Sequence, residues 1–149
     1  MSERERRVNT TLFLETFVLG QLVGAVIDQL VVPGSGLSPV EFAVTSSIGA
    51  MKQVTPTELA HRLGMPPTTL SALLNRLEER DLISRTRHPG DGRARLLEVT
   101  AAGRAANRVC FRGMNRALEQ LAAAVGDDSA ELFAAFNRFE DALRTILGR

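Results

Sequence analysis

Most side chains in this sequence that could engage an anionic partner are arginines. Of 18 basic residues only Lys52 is a lysine, and the planar guanidinium fork suits two-pronged contact with phosphate or carboxylate. The usual catalytic and metal-binding types are sparse: two histidines, His61 and His88, and one cysteine, Cys110. None lies at a spacing that makes a Ser/His/Asp set, a phosphate loop or a metal site, so no enzyme, catalytic residue, cofactor or metal is expected. Cys110 shares a helical stripe with Met114, Leu118, Leu121 and Val125, which reads as a small buried hydrophobe rather than an exposed redox thiol. The arginines, by contrast, are focused. Between residues 85 and 95, Arg85, Arg87, Arg93 and Arg95 stand against the single acid Asp91, a local +3 in a chain of net charge +1. Charge gathered in this way attracts a polyanion locally, and binding that rests on a few phosphate contacts weakens as salt rises.

The elements around that focus follow from capping and periodicity. Thr55-Pro56-Thr57-Glu58 has the cap, first-turn proline and reciprocal glutamate of a capping box, opening a helix that ends at Gly64. Pro66-Pro67 opens a second helix, because neither residue can donate an amide hydrogen bond. In it Leu70, Leu73, Leu74 and Leu77 repeat at i, i+3, i+4, i+7 and face a core. The other face carries Thr68, Thr69, Ala72 and Asn75, flanked by Ser71 and Arg76: a solvated polar surface, or one that meets base edges and phosphates. After Asp81 the period changes. Residues 82–87 and 93–99 read as two strands joined by His88-Pro89-Gly90-Asp91-Gly92. Helix, turn, helix, strand, charged turn and strand in that order make a winged helix-turn-helix, a device for gripping duplex DNA.

The runs Glu58-Leu59-Ala60, Leu73 to Glu78, Leu82-Ile83-Ser84-Arg85, Pro89-Gly90-Asp91-Gly92-Arg93 and Leu97 to Gly103 resemble the MarR-type transcriptional regulators. The most specific part is Asp91-Gly92-Arg93, the wing signature. The resemblance implies that Arg93 enters or borders the minor groove and that Asp91 orients it. Three positions depart from the pattern: Pro66 replaces a capping serine, Ala72 a frequent basic residue, and Asp81 a glycine after the recognition helix. The DNA-binding set expected from residues and resemblance together is Thr68, Thr69, Ser71, Asn75, Arg76, Arg85, Arg87, Asp91, Arg93 and Arg95.

Around this unit, residues 9–32 are apolar on more than one stripe and call for broad burial. Arg4, Arg6 and Arg7 precede that run, but Glu3 and Glu5 intervene and Gln21 and Asp28 interrupt it, so a membrane role is not expected. Ser38-Pro39-Val40-Glu41 repeats the capping logic of Thr55, Thr100 caps a long helix to about Val125, and a final helix runs from Asp128 to about Leu147. Leu132, Phe136, Phe139, Leu143 and Ile146 form a stripe on it that needs a partner surface. The expected architecture is mainly α with a small β-hairpin wing. One domain spans residues 1–149, with a DNA-reading lobe at 38–99. In the resembled family the terminal helices of two subunits interlock, so residues 9–32 and 100–147 are expected to form a dimerisation lobe.

A two-fold homodimer would present two recognition helices to a pseudo-palindromic operator with half-sites ~10 bp apart. Arg104, Arg108, Arg112 and Arg116 form an i, i+4 ladder of like charge. It is a solvated face, or a set of salt bridges across the dimer to Glu131, Glu140 or Asp141, or the border of an effector pocket in which Arg108 and Arg112 bind an anion. Many of the resembled regulators release DNA on binding aromatic carboxylates or phenols. The expected function is a cytoplasmic, homodimeric, sequence-specific repressor released by a small-molecule effector, the single Cys agreeing with a reducing compartment. The alternative is a winged-helix protein-interaction module without specific DNA binding, which Ala72 and the low net charge favour and the wing arginines oppose.

Overall fold

A computed structural model describes the chain over residues 3–88, 91–126 and 129–148, and its side chains over 10–87, 95–126 and 130–148. The elements in order are α1 (Glu3–Val26), a π-helical turn (Ile27–Val31), α2 (Pro39–Met51), α3 (Pro56–Leu63), α4 (Pro67–Glu79), β1 (Ile83–His88), β2 (Asp91–Val99), α5 (Ala101–Val125) and α6 (Ser129–Ile146). Both capping boxes form. The Ser38 amide donates to Glu41 Oε2 at 2.9 Å and the Thr55 amide to Glu58 Oε2 at 2.8 Å, while each hydroxyl accepts the glutamate's own amide. Thr100 caps α5 by accepting the Gly103 amide at 3.0 Å.

The strands pair antiparallel from Ile83 with Val99 to Arg87 with Arg95, and an irregularity follows between Arg87 and His88. Val54 adds a bridge to Leu97, whose amide it accepts at 2.9 Å. The core lies among α2, α3, α4, the hairpin and the start of α5. Val44, Ile48, Leu59, Leu70, Leu74, Leu77, Ile83 and Leu97 are buried there, and Cys110 closes it from α5. The expected leucine stripe of α4 is buried in full.

Three expectations are corrected. The first helix begins at Glu3 rather than Asn9 and gives way to a π-helical turn before Val32. That turn presses against Gly113 of α5, where an added Cβ would fall 2.8 Å from the Val31 Cα, so glycine is what permits the approach. The hairpin turn is shorter than residues 88–92, since His88 and Asp91 already belong to the strands. A ladder made by backbone groups continues through residues whose side chains favour turns. Finally, the apolar first helix is not broadly buried within one chain: Phe13 and Phe17 are 60% and 66% exposed. Intrachain packing on α5 covers chiefly its C-terminal end, around Ile27 and Val31. By length and composition alone, Thr10–Val31 could cross a membrane. In this fold its apolar face instead lines a groove of about 620 Å³ with α6, in which Leu12, Leu19, Leu132, Phe136 and Phe139 face one another.

Candidate nucleic-acid interface

Helix α4 starts without a side-chain cap, as Pro66 implies, and Pro67 supplies its first turn. With its leucines committed inward, Thr68, Thr69, Ser71, Ala72, Asn75 and Arg76 are all exposed. At the other end Asp81 adopts a left-handed conformation, φ 54°, the position where the sequence lacks the usual glycine. Arg80 anchors this end of the helix: its guanidinium contacts Glu41 Oε1 at 2.8 Å and the Gly36 carbonyl oxygen at 2.5 Å. Burial pushes the Glu41 carboxyl up. The Ser38 amide, the Arg80 guanidinium and the Ser38 hydroxyl more than offset this and hold it below the ordinary carboxylate value.

Where α4 meets the wing, Thr57, Pro67, Ser71, Arg85 and Arg95 surround a cleft of about 280 Å³. Three of the expected site residues, Ser71, Arg85 and Arg95, are thus brought together from three elements, α4, β1 and β2. Thr57 was missed, because its proximity depends on how α3 packs on α4 rather than on any local pattern. Arg87 and Arg95 are cross-strand partners and both are exposed. Like charges directly opposite each other are destabilising unless an anion neutralises them. Arg85 is differently placed: its Nη2 donates to Asn75 Oδ1 at 2.8 Å and its Nη1 lies 2.9 Å from Glu78 Oε2. It is engaged inside the chain rather than free for phosphate. The side chains of Asp91 and Arg93, and of His88, lie outside the described residues.

A second cavity of about 470 Å³ opens between α2, β2 and α5, lined among others by Ser46, Lys52, Arg104, Asn107, Arg108 and Phe111. Arg108 reaches it as expected, but Arg112 is not among its lining residues. Each i, i+4 step overshoots a helical turn by about 40°, so a ladder winds away from any fixed site. Arg104 borders the cavity instead, its Nη1 donating to the Val99 carbonyl oxygen at 2.5 Å. The only lysine, Lys52, sits at φ 62° in a tight turn closed by the Gln53 amide and the Met51 carbonyl oxygen at 2.8 Å, a strained conformation for a residue with a Cβ. Thr45 Oγ1, 2.7 Å from Asn107 Oδ1, ties α2 to α5 at the back of the cavity.

Glu140 makes its contacts within the chain to α3 and α6. Glu140 holds Arg144 at 2.7 Å and lies 3.8 Å from Arg62. Arg144 in turn donates to the carbonyl oxygens of His61 and Arg62 at 3.1 and 3.0 Å, satisfying acceptors at the C-terminal end of α3. Helix α6 is thereby fastened to the helix-turn-helix. His61 is exposed on α3, and no cluster of three or more His, Cys, Asp or Glu that could hold a metal occurs among the described residues.

Residues 35–94 match the sequence model of the MarR family. Solved structures of the same fold include a M. tuberculosis transcriptional regulator, MOSR, in complex with DNA. It is 27% identical with a TM-score of 0.69, over 88% of this chain and 96% of that one. Reduced AbfR bound to DNA is 18% identical with a TM-score of 0.81, over 99% of each chain. The PcaV transcriptional regulator of Streptomyces coelicolor, in complex with its natural ligand, is 24% identical with a TM-score of 0.74, over 86% of this chain and 90% of that one. No curated protein sequence matches the chain.

Proposed function

We propose that this chain, which carries the MarR-type winged helix-turn-helix, is a cytoplasmic, sequence-specific DNA-binding transcriptional regulator that works as a homodimer and represses its target. One observation carries the reading. The exposed polar face of α4 and the wing arginines share a cleft, in which Ser71 meets Arg85 and Arg95 beside the cross-strand pair of Arg87 and Arg95. Thr68, Thr69, Ser71, Asn75 and Arg76 then face the major groove, and Arg87, Asp91, Arg93 and Arg95 serve the wing. MOSR, a relative at 27% identity, is solved on DNA, which supports the same mode here. Residues 38–99 form the reading lobe. Residues 9–32 and 100–147 form the dimerisation lobe, where a second copy covers the apolar groove between α1 and α6.

Release follows from the second cavity. Lys52, Arg104 and Arg108 outnumber the one carboxylate of the lining, Glu98, and make it attractive to an anion, and the Phe111 ring adds an apolar wall, so an aromatic carboxylate or phenolate suits it. An effector bound between α2, β2 and α5 that favours a spacing of the two wings mismatched with DNA shifts the population away from binding. A coupling of about 1 to 3 kcal/mol is enough. Arg104 and Arg108, rather than Arg112, are the anion contacts.

The test is a titration of fluorescently labelled DNA from upstream of the gene, beside a scrambled duplex, at two salt concentrations. The label belongs on the DNA because the chain has no Trp or Tyr. The proposal expects at least about a thousandfold preference for the upstream duplex and affinity that falls with salt. Equal, weak, salt-insensitive binding to both would favour the protein-interaction reading.

A further inference from the structure

We infer that Asn75 reads its base as a hydrogen-bond donor only, and selects an acceptor-bearing edge, guanine ahead of thymine, because Arg85 holds its carbonyl oxygen. The inference rests on the DNA-reading function proposed above and deepens it at one position. Asn75 lies on the exposed face of α4, and Glu78 follows it three residues later on the same side of the helix. Arg85, arriving from β1, spans both. One guanidinium nitrogen donates to Asn75 Oδ1 at 2.8 Å and the other pairs with Glu78 Oε2 at 2.9 Å. The Arg85 side chain is 26% exposed and that of Glu78 40%, so the bridge lies at the protein surface.

The orientation of the amide is determined by chemistry. Turned the other way, the Asn75 NH2 group would face the guanidinium, donor against donor, since arginine has no acceptor. The bridge therefore leaves the two amide hydrogens pointing away from Arg85. Asparagine recognises adenine by donating to N7 while its carbonyl oxygen accepts from the N6 amino group, and both must lie along one edge. With one lone pair of the oxygen committed to Arg85 and the oxygen aimed away from the groove, adenine can still accept at N7 but its amino group loses the matched second bond. Guanine presents N7 and O6, both acceptors, and thymine presents O4. Cytosine offers a donor and is rejected. Arg85 is a positioning residue in this scheme: it makes no base contact, and Glu78 neutralises much of its pull on phosphate.

The experiment is selection of binding sites from randomised duplexes by the full-length protein and by Asn75→Ala, Asn75→Asp, Arg85→Ala and Arg85→Lys. Wild type should enrich guanine, or thymine, about tenfold to a hundredfold over adenine at one position of each half-site. Asn75→Ala should make that position indifferent. Asn75→Asp, which has no donor, should abolish the guanine preference there. Arg85→Ala should admit adenine at the same position while the remaining positions keep their preferences. A merely structural ion pair would instead lower recovery of all sequences together. If Arg85→Ala does not fold, Arg85→Lys is read in its place, because a single ammonium cannot span Asn75 and Glu78 and should admit adenine as well. Adenine or cytosine at the Asn75-dependent position of wild type overturns the inference, as does an unchanged base choice in the Arg85 variants. Enrichment elsewhere with no position sensitive to Asn75 overturns this inference alone, whereas no enriched sequence for wild type overturns the DNA-reading proposal with it.

Discussion

The reading unit and the helices that flank it obey the same packing rules with opposite results. In the segment from α2 to β2, nearly every apolar stripe finds its cover inside the chain, and the leucines of α4 are buried to the last turn. In α1 and α6 the stripes are as apolar but stay open. Phe17 is 66% and Phe133 67% exposed, and Leu12, Leu19, Leu132, Phe136 and Phe139 line an open groove of about 620 Å³ between the two helices. Contiguous exposed apolar surface on this scale marks an interaction site. One region is thus complete as a single chain, and the other is complete only against a second surface, which the proposed homodimer supplies. The two are not independent. Arg144 and Glu140 fasten α6 to the end of α3, so whatever seats α6 also seats the helix-turn-helix.

That contrast can be broken by substitution. Leu74→Ala, deep in the reading unit, should cost about 2 to 5 kcal/mol in denaturant unfolding. Phe133→Ala should cost an isolated chain far less, and its effect should appear as weaker self-association in sedimentation. Equal losses of folding stability from both would erase the distinction. Gly103→Ala comes next: the added Cβ would collide with the Leu82 carbonyl and lie 2.8 Å from the Val99 side chain. Backbone cannot give way there, so the helix-propensity gain of about 1 kcal/mol should be outweighed and thermal melting should show a net loss of about 1 to 3 kcal/mol. Thr55→Ala removes one half of a capping box and should cost about 1 kcal/mol, measured the same way.

The smallest effect concerns pH. Glu41 has a lowered carboxyl value in the folded chain, so its contribution is present above the usual carboxylate range and is lost as pH falls through the folded value. Glu41→Gln should therefore flatten the acid limb of the stability profile below about pH 4.5, where the ordinary value lies, and leave its shape at neutral pH unchanged. An acid limb identical to wild type would remove Glu41 and Arg80 from the account of how α4 is held.

Much of the reading unit was legible because its signals are local. The caps at Ser38, Thr55 and Thr100, the leucine spacing of α4 and the left-handed residue at Asp81 each depend on neighbours within a turn or two of chain. What stayed hidden depends on packing between distant segments. Arg85 counted as one more wing cation until β1 brought it to Asn75 and Glu78. Arg104 and Lys52 border one cavity only because α2 and α5 are pinned together through Thr45 and Asn107. The close approach of the π-helical turn to α5 needs Gly113, more than eighty residues away along the chain. Arg62 and Arg144 gather at Glu140 only because α6 packs beside the end of α3.

The most direct test of the whole account is the mass of the protein bound to a labelled upstream duplex, followed by sedimentation at low and at raised salt. The account predicts two chains of 16.2 kDa per duplex, and loss of that complex as salt is raised. One chain per duplex, or no complex at either salt, would contradict it.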